Sequence, residues 1–226
     1  MSGRTAADRR ADLVALYREL GPDHVCPLKD SRANIVFGMG NADADLMFVG
    51  EAPGATEDQE GKPFVGRAGK LLDTLLVEIG LDRGQVFIAN VLKCRPPGNR
   101  DPLPEEIAEC EPYLMRQVEL IRPRVICTLG NFSTKLLSGS PVGITKVRGV
   151  PQEREIAGVP VKLFPLFHPA AALRVPRNLE LLREDFANIP ALLEEERQGG
   201  EQRPDEPAPE GPEGPAGEAP QLDLFG

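Results

Sequence analysis

Residues 46–80 read LMFVGEAPGATEDQEGKPFVGRAGKLLDTLLVEIG, and this stretch decides the fold. Its first part, LMFVG (46–50), is a short apolar run closed by glycine, which predicts a buried strand. Its last part, RAGKLLDTLLVEIG (67–80), has apolar residues at helical spacing and a terminal glycine, which predicts a helix. The connection between them, residues 50–66, is long and contains several Gly and Pro residues. Loops of this length inside compact domains usually carry function.

The same alternation continues along the chain. Further strands are predicted at 86–90, 124–130 and 161–167, and further helices at 6–20, 104–121, 131–139 and 178–197. Strands that alternate with helices predict an α/β fold, a three-layer α/β/α domain around a mostly parallel, four-stranded central sheet. In such sheets ligands bind beyond the carboxyl ends of the strands. Glu51, Asn90 and His168 end or follow three of these strands, so we expect them on one rim.

The composition changes abruptly near Gln198. Residues 198–220 contain no Val, Ile, Leu, Phe, Tyr or Met, and such a segment cannot bury enough apolar surface to offset its ordering entropy. We therefore expect a folded domain over residues 1–197 and a disordered, acidic, Pro/Gly-rich linker over residues 198–220. The chain then ends in QLDLFG (221–226), where large apolar residues return.

Charge and hydropathy exclude few classes of protein. The net charge is −9, but residues 191–226 hold ten acidic and two basic residues, so the rest of the chain is almost neutral. Charge therefore neither supports nor excludes binding to nucleic acid. Since no apolar run reaches the length of a membrane span and the N-terminus has no apolar signal segment, we expect a cytoplasmic protein without a membrane partner. In that compartment the four cysteines are expected to be thiols or metal ligands rather than disulfides.

Four motifs resemble those of the family 4 uracil-DNA glycosylases in order and spacing. They are GEAPGATEDQEGKPFVG (50–66), NVLKCRPPGNR (90–100), ITKVRG (144–149) and FHPAAALR (167–174). The resemblance covers about residues 20–190. It implies a uracil-DNA glycosylase-like fold and a monomeric enzyme that flips uracil out of DNA and hydrolyses its N-glycosidic bond, which begins base excision repair.

The resemblance also implies roles for individual residues. The uracil-binding residues would be Glu51, Ala52, Pro53, Phe64, Asn90 and His168. Phe64 would be the flat platform on which the flipped base stacks, and the Asn90 amide would offer a donor and an acceptor to the pyrimidine edge. His168 would donate to uracil O2, where negative charge develops as the bond breaks.

Glu51 is the second catalytic candidate. In other uracil-DNA glycosylase families an Asp in the first motif positions the attacking water, and the matching position here is Ala52. Glu51 is the nearest acid that could orient water or favour a cationic sugar. Leu173 and Arg174 are expected in a DNA-inserting loop that fills the gap left by the flipped nucleotide. The alternative for that segment is a simple helix-entry turn.

The cysteines match a cluster site incompletely. Family 4 enzymes carry a [4Fe–4S] cluster on four cysteines, two of them in a C-x-x-C. Cys26, Cys94 and Cys110 stand in matching places, but Asp23 occupies the position three before Cys26. The fourth ligand is Asp23, the adjacent His24, or a water or hydroxide on the fourth iron, and three ordinary thiols without a cluster are the remaining alternative. Cys127 lies inside a predicted strand, where a buried thiol is expected.

The terminal peptide QLDLF resembles the short motif by which bacterial repair proteins dock onto the sliding clamp. Gln221, Leu222, Leu224 and Phe225 would supply an amide and three apolar anchors. Two rival functions stay open: a non-catalytic iron–sulfur DNA-binding protein, and a glycosylase with specificity for other deaminated bases. A further alternative is a glycosylase that crosslinks covalently to its abasic product, as a related subgroup does. That subgroup carries a His-bearing insertion after its Asn90 equivalent, whereas CRPPGNRDP (94–102) contains no His.

Overall fold

The computed structural model describes residues 5–199. Its strands are β1 (Met39–Gly40), β2 (Leu46–Gly50), β3 (Phe87–Asn90), β4 (Val125–Leu129), β5 (Gln152–Ile156) and β6 (Val159–Leu166). Its helices are α1 (Ala6–Leu20), α2 (Ala55–Glu60), α3 (Arg67–Glu78), α4 (Pro104–Ile121), α5 (Asn131–Ser138), α6 (Ile144–Val147), α7 (Pro169–Ala172), α8 (Pro176–Phe186) and α9 (Ile189–Gly199). No helix in the described part of the chain is both long and apolar enough to cross a membrane.

The six strands form one sheet in the order β1-β3-β2-β4-β6-β5. The four predicted strands form its parallel centre, and antiparallel β1 and β5 are added at the edges. The predicted fold class is thus confirmed, but the predicted number of four strands was too small. β1 has only two residues, and β5 reads QEREI with mostly charged side chains, so neither produces an apolar run.

Two hydrophobic clusters lie on opposite faces of the sheet. Along β2, Met47 and Val49 belong to one cluster and Leu46 and Phe48 to the other, as strand geometry requires. Helices α1 and α4 cover the first face, and α3, α8 and α9 cover the second. Because both faces are covered, β2 and β4 are buried along their whole length. This arrangement confirms the three layers.

The predicted helix 178–197 is wrong as a single element, because it consists of α8 and α9. Pro190 is the second residue of α9, and proline is tolerated in the first turn of a helix but breaks a helix interior. The second helix runs to Gly199, two residues beyond the predicted domain boundary. The rest of the predicted linker and the predicted clamp-binding peptide lie outside the described residues.

Candidate active site

The carboxyl ends of β2, β3 and β6 meet at one edge of the sheet and border a cavity of about 400 Å³. All six residues predicted to bind uracil line this cavity, although they are spread over more than half of the chain: Glu51, Ala52, Pro53, Phe64, Asn90 and His168. Arg174 also reaches it. The structure therefore brings the three sequence motifs that carry these residues to a single site.

Phe64 forms one wall of the cavity from a constrained backbone. Its φ angle is 52°, in the left-handed region that a bulky residue rarely adopts. The Arg83 guanidinium holds this conformation by donating hydrogen bonds to the carbonyls of Pro63 and Phe64. Gly69 of α3 lies directly under the Phe64 carbonyl, where a Cβ atom would collide with it. The ring position of Phe64 is thus set by its surroundings before any ligand binds.

Asn90 is the last residue of β3 and presents an unsatisfied acceptor to the cavity. Its side chain is 1% exposed, and within residues 5–199 its Oδ1 atom has no hydrogen-bond partner. Gly50 lies opposite it in the β2–β3 register, and a Cβ atom on Gly50 would lie 2.6 Å from the Phe64 ring. A buried acceptor without a donor is costly, so the site calls for a ligand that carries an N–H group.

His168 follows β6 and caps the short helix α7. Its Nδ1 atom accepts the Ala170 N–H at 3.0 Å, which leaves the proton of a neutral imidazole on Nε2. Burial lowers the pKa of His168 to about 4, against a smaller opposing effect of the Glu57 carboxylate. At neutral pH the ring is therefore an uncharged Nε2–H donor. Its centroid lies 5.6 Å from that of Phe64, with the rings 29° apart.

Glu51 follows β2 at the mouth of the cavity. Burial raises the pKa of its carboxyl to about 7, and the negative charge of Asp101 contributes to the shift. Its backbone is fixed because the Glu51 carbonyl accepts the Leu92 N–H at 2.9 Å and the Gly50 carbonyl accepts the Val91 N–H at 3.0 Å. A carboxyl group with a pKa near neutrality is suited to general acid–base chemistry.

The loop after β6 places its two predicted DNA-inserting residues differently. Arg174 lines the cavity, whereas the Leu173 side chain is 49% exposed at the end of α7. The nearby Val175 is also exposed. An exposed apolar side chain beside a cavity is suited to act as a wedge. The alternative prediction, a simple helix-entry turn, also agrees with the structure, because α7 has only four residues.

The ITKVRG motif (144–149) does not line the cavity but supports it. Arg148 lies over the Phe167 ring, with 5.5 Å between the guanidinium carbon and the ring centroid. It also donates two hydrogen bonds to Asp185 of α8, at 2.6 and 2.9 Å. Phe167 directly precedes His168, so Arg148 anchors the end of β6 against α8.

Three further residues that support the cavity were not predicted from the sequence. Glu57 of α2 accepts the N–H groups of Val65 and Gly66, at 3.0 and 2.8 Å, and thereby holds the loop that carries Phe64. Arg83, which belongs to none of the four motifs, holds the same loop through its hydrogen bonds to the Pro63 and Phe64 carbonyls. Gly130 lies behind His168, where a Cβ atom would come within 3.2 Å of the His168 Cβ. Of these three residues, only Glu57 could have been found from the sequence, since it lies in the first motif.

Three of the four cysteines lie near one another, on the face of the sheet that α1 and α4 cover. The Sγ atoms of Cys26 and Cys94 are 3.6 Å apart, and Cys110 belongs to the same buried cluster of side chains. Arg32 donates to both sulfurs, at 3.0 and 3.2 Å. Burial, together with the neighbouring Cys26, raises the pKa of the Cys94 thiol to about 12. Cys127 is buried in the cluster on the opposite face, as expected for a structural thiol.

The two candidates for a fourth ligand do not join these sulfurs. Asp23 is exposed, and the Nε2 atom of His24 lies 3.1 Å from the Glu109 carboxylate. Throughout the described residues, no group of three or more His, Cys, Asp or Glu side chains is arranged to hold a metal ion. The structure thus gathers Cys26, Cys94 and Cys110 on one face of the sheet, while the His24 imidazole contacts Glu109.

The fold and the site define a member of the uracil DNA glycosylase superfamily, since residues 37–190 match the family model of that description. The chain is 51% identical over 187 residues to a type-4 uracil-DNA glycosylase of Saccharolobus solfataricus, a match that covers 80% of this chain and 86% of the relative. It is 47% identical over 175 residues to the type-4 uracil-DNA glycosylase of Thermotoga maritima, with 76% and 89% covered. The corresponding enzyme of Archaeoglobus fulgidus is 46% identical over 181 residues, with 78% and 91% covered. The chain belongs to the type-4 uracil-DNA glycosylase family, which confirms the resemblance found in its motifs.

Proposed function

We propose that this protein is a monofunctional uracil-DNA glycosylase that flips uracil out of DNA and hydrolyses its N-glycosidic bond, which begins base excision repair. The observation that carries the proposal is the buried, unsatisfied Oδ1 of Asn90 in a cavity walled by Phe64 and His168. A uracil ring can stack on Phe64 and donate its N3–H to this oxygen. The Asn90 amide N–H then donates to uracil O4.

The remaining groups act on the bond that breaks. The electron pair of the N-glycosidic bond moves to uracil N1 and is delocalised onto O2, while the sugar becomes cationic at C1′. The Nε2–H group of His168 donates to O2 and stabilises this anion. Water attacks C1′ and transfers a proton to the Glu51 carboxylate, which gives an abasic site, a protonated Glu51 and the uracil anion. The anion takes up a proton from solvent to become free uracil, and Glu51 releases its proton to solvent.

The pKa of Glu51 predicts a pH dependence. A base must be deprotonated to accept a proton, so the single-turnover rate should rise between about pH 5.5 and about pH 8, with a midpoint near 7. His168 contributes no change in this range because its pKa is about 4. The measurement is the rate of uracil release from an oligonucleotide across this range.

Two variants show whether Glu51 causes the pH dependence. Glu51→Gln should lower the rate and remove the dependence, whereas Asp101→Asn should move the midpoint to lower pH because it removes a charge that raises the pKa of Glu51. A flat profile for the unaltered protein would exclude Glu51 as the base.

The function itself is tested by incubating the purified protein with oligonucleotides that carry uracil opposite G, uracil opposite A, unpaired uracil, hypoxanthine or xanthine. We expect free uracil and an alkali-sensitive abasic site from the uracil strands. Binding without base release would favour the rival DNA-binding protein. Release of the other deaminated bases but not of uracil would favour the rival specificity.

Leu173 and Arg174 form the DNA-inserting loop in this proposal. The exposed Leu173 side chain is suited to enter the base stack, and Arg174 lies at the cavity, where it can face the phosphates or the vacated position. The contribution of an apolar wedge is greatest for duplex DNA, because a single strand has no partner base to displace.

We further propose that Cys26, Cys94 and Cys110 bind a [4Fe–4S] cluster, with Asp23 or His24 as the fourth ligand. The donor chemistry fits the group: thiolates are the ligands of such clusters, and N–H donors to the sulfurs tune them. Here Arg32 donates to two of the sulfurs, and the Lys93 backbone N–H donates to Cys110 at 3.3 Å. When bound, the cluster would join the N-terminal segment to β3 and α4.

The cluster proposal predicts that protein purified without oxygen is brown and contains about four irons per chain. Asp23→Cys should keep or improve iron retention if this position supplies the fourth ligand. Asp23→Ala and His24→Ala, compared for iron content and visible absorbance, identify which side chain binds. Iron-free protein that is fully folded and active would refute the cluster.

The C-terminal peptide is proposed to tether a monomeric, cytoplasmic enzyme to the bacterial sliding clamp. Gln221, Leu222, Leu224 and Phe225 supply the anchors, and the acidic segment between Gly199 and Gln221 leaves the folded domain free to search DNA. An extended peptide must become ordered on binding, so the affinity should be modest, on the order of micromolar.

Truncation after Gly199 should abolish clamp binding and leave excision on short oligonucleotides intact, because the residues that line the cavity all lie between Glu51 and Arg174. Titration with purified clamp should compare the full chain, the truncation, and the double variant Leu224→Ala with Phe225→Ala. Equal clamp affinity in all three would eliminate the peptide as the docking site.

A further inference from the structure

Lys93 is a lysine whose side chain is 0% exposed in the core of the domain. Its ammonium group donates to the Asn90 carbonyl at 2.9 Å and to Oε1 of Gln117 at 2.7 Å. No carboxylate in the described part of the chain pairs with it. The groups whose charge would favour its ammonium form are the thiolates of Cys110 and Cys94. Burying an amino group is unfavourable unless its donors are satisfied, so simple filling of space does not account for a lysine here.

The partners of Lys93 connect three parts of the fold. Gln117 belongs to α4 and also donates through Nε2 to the Phe37 carbonyl at 2.8 Å. The Lys93 backbone is fixed as well, since its N–H donates to Cys110 Sγ and its carbonyl accepts the Val36 N–H at 2.7 Å. The ammonium group is therefore held in one place from several directions.

The Lys93 ammonium group lies directly behind Asn90, the residue proposed to recognise the base. Asn90 ends β3, and the chain turns over the next residues so that the Lys93 side chain returns to the Asn90 carbonyl. The same turn holds the backbone of the first motif, because the Val91 and Leu92 N–H groups donate to Gly50 and Glu51. An anchor on the Asn90 carbonyl restricts rotation of this residue and of the amide that it presents.

We propose that Lys93 is a positioning residue that fixes the orientation of the Asn90 amide and thereby sets the discrimination of uracil from other bases. The proposal rests on the proposed role of Asn90. Lys93 does not line the cavity, so its effect must pass through Asn90. A displacement of about 1 Å at such a group can cost roughly a hundredfold in rate.

The test uses Lys93→Met, which keeps the length and apolar stem of the side chain but removes its donors. The probe is a DNA strand containing 2′-fluorinated deoxyuridine, whose glycosidic bond resists cleavage, compared with the same strand containing thymidine. We expect the affinity ratio between the two strands to fall roughly tenfold or more, while binding of the thymidine strand and the unfolding temperature change little.

Lys162→Met is the matched control, because Lys162 is also buried but its ammonium pairs with Glu153 and Glu196, away from the cavity. It should leave the ratio unchanged. If Lys93→Met does not fold, Gln117→Leu releases the ammonium from α4 and should lower the ratio in the same direction. An unchanged ratio in a folded variant of either kind overturns the proposal.

A double-mutant cycle separates positioning from general damage. In an Asn90→Ala background, Lys93→Met should have little further effect on the ratio, since the amide that it positions is gone. Additive effects would show that Lys93 acts elsewhere and would overturn the proposal while the role of Asn90 stands. If Asn90→Ala alone leaves the ratio unchanged, Asn90 does not recognise the base, and both proposals fail.

Discussion

Replacing His168 with alanine is expected to lower the single-turnover rate of uracil release by roughly a hundredfold or more, the size of effect seen when an oxyanion donor is removed. The structure gives the physical reason. Because Nδ1 accepts the Ala170 N–H, the neutral ring presents Nε2–H. Burial withdraws His168 from water, and a hydrogen bond to an anion is strong in such surroundings.

The effect on binding distinguishes this role from a structural one. His168→Ala should bind DNA containing 2′-fluorinated deoxyuridine almost as well as the unaltered protein, since the anion that His168 stabilises forms only in the transition state. His168→Gln, which keeps an N–H donor, should retain more activity than the alanine variant. A near-normal chemical rate for His168→Ala would refute the assignment.

Asn90→Asp is expected to abolish detectable excision of uracil. The substitution keeps the shape of the side chain but replaces the N–H donor that faces uracil O4 with a second acceptor oxygen. A site built to hydrogen-bond its substrate rejects a mismatched partner by roughly 10⁴-fold or more, because buried polar groups are then left unpaired. The measurement is single-turnover release from a uracil oligonucleotide.

The control for this charge change is Asn188→Asp, at an exposed asparagine between α8 and α9 whose side-chain amide donates to the Glu184 carbonyl. This variant should excise uracil normally. If Asn90→Asp excises uracil as well as the unaltered protein, the amide does not recognise the base and the proposed pocket is misplaced.

The central part of the fold could be predicted from the sequence because each of its elements is marked by a pattern within its own residues. β2 and β4 are covered on both faces and read as continuous apolar runs, and α4 begins with Pro104 and an acidic first turn. β1 and β5 could not be predicted. β1 has only two residues, which is too short for an alternating pattern. β5 lies at a sheet edge, and its charged side chains give no apolar run.

The candidate site was predictable where residues lie in motifs at strand ends. Glu51, Asn90 and His168 meet because the parallel strands β2, β3 and β6 bring their carboxyl ends to one edge. Phe64 joins them from the loop of the first motif, between α2 and α3. The supports were not predictable, since Arg83 and Gln117 act through contacts with residues far away in the sequence. Glu57 lies in the first motif and Lys93 in the second, where it is the charged residue of the run VLKC (91–94).

The most direct measurement of the central claim is a crystal structure of the protein with free uracil. The account predicts a ring stacked on Phe64, with N3 within hydrogen-bonding distance of Asn90 Oδ1 and O2 within hydrogen-bonding distance of His168 Nε2. Uracil bound outside the cavity, or bound within it with neither contact formed, would contradict the account.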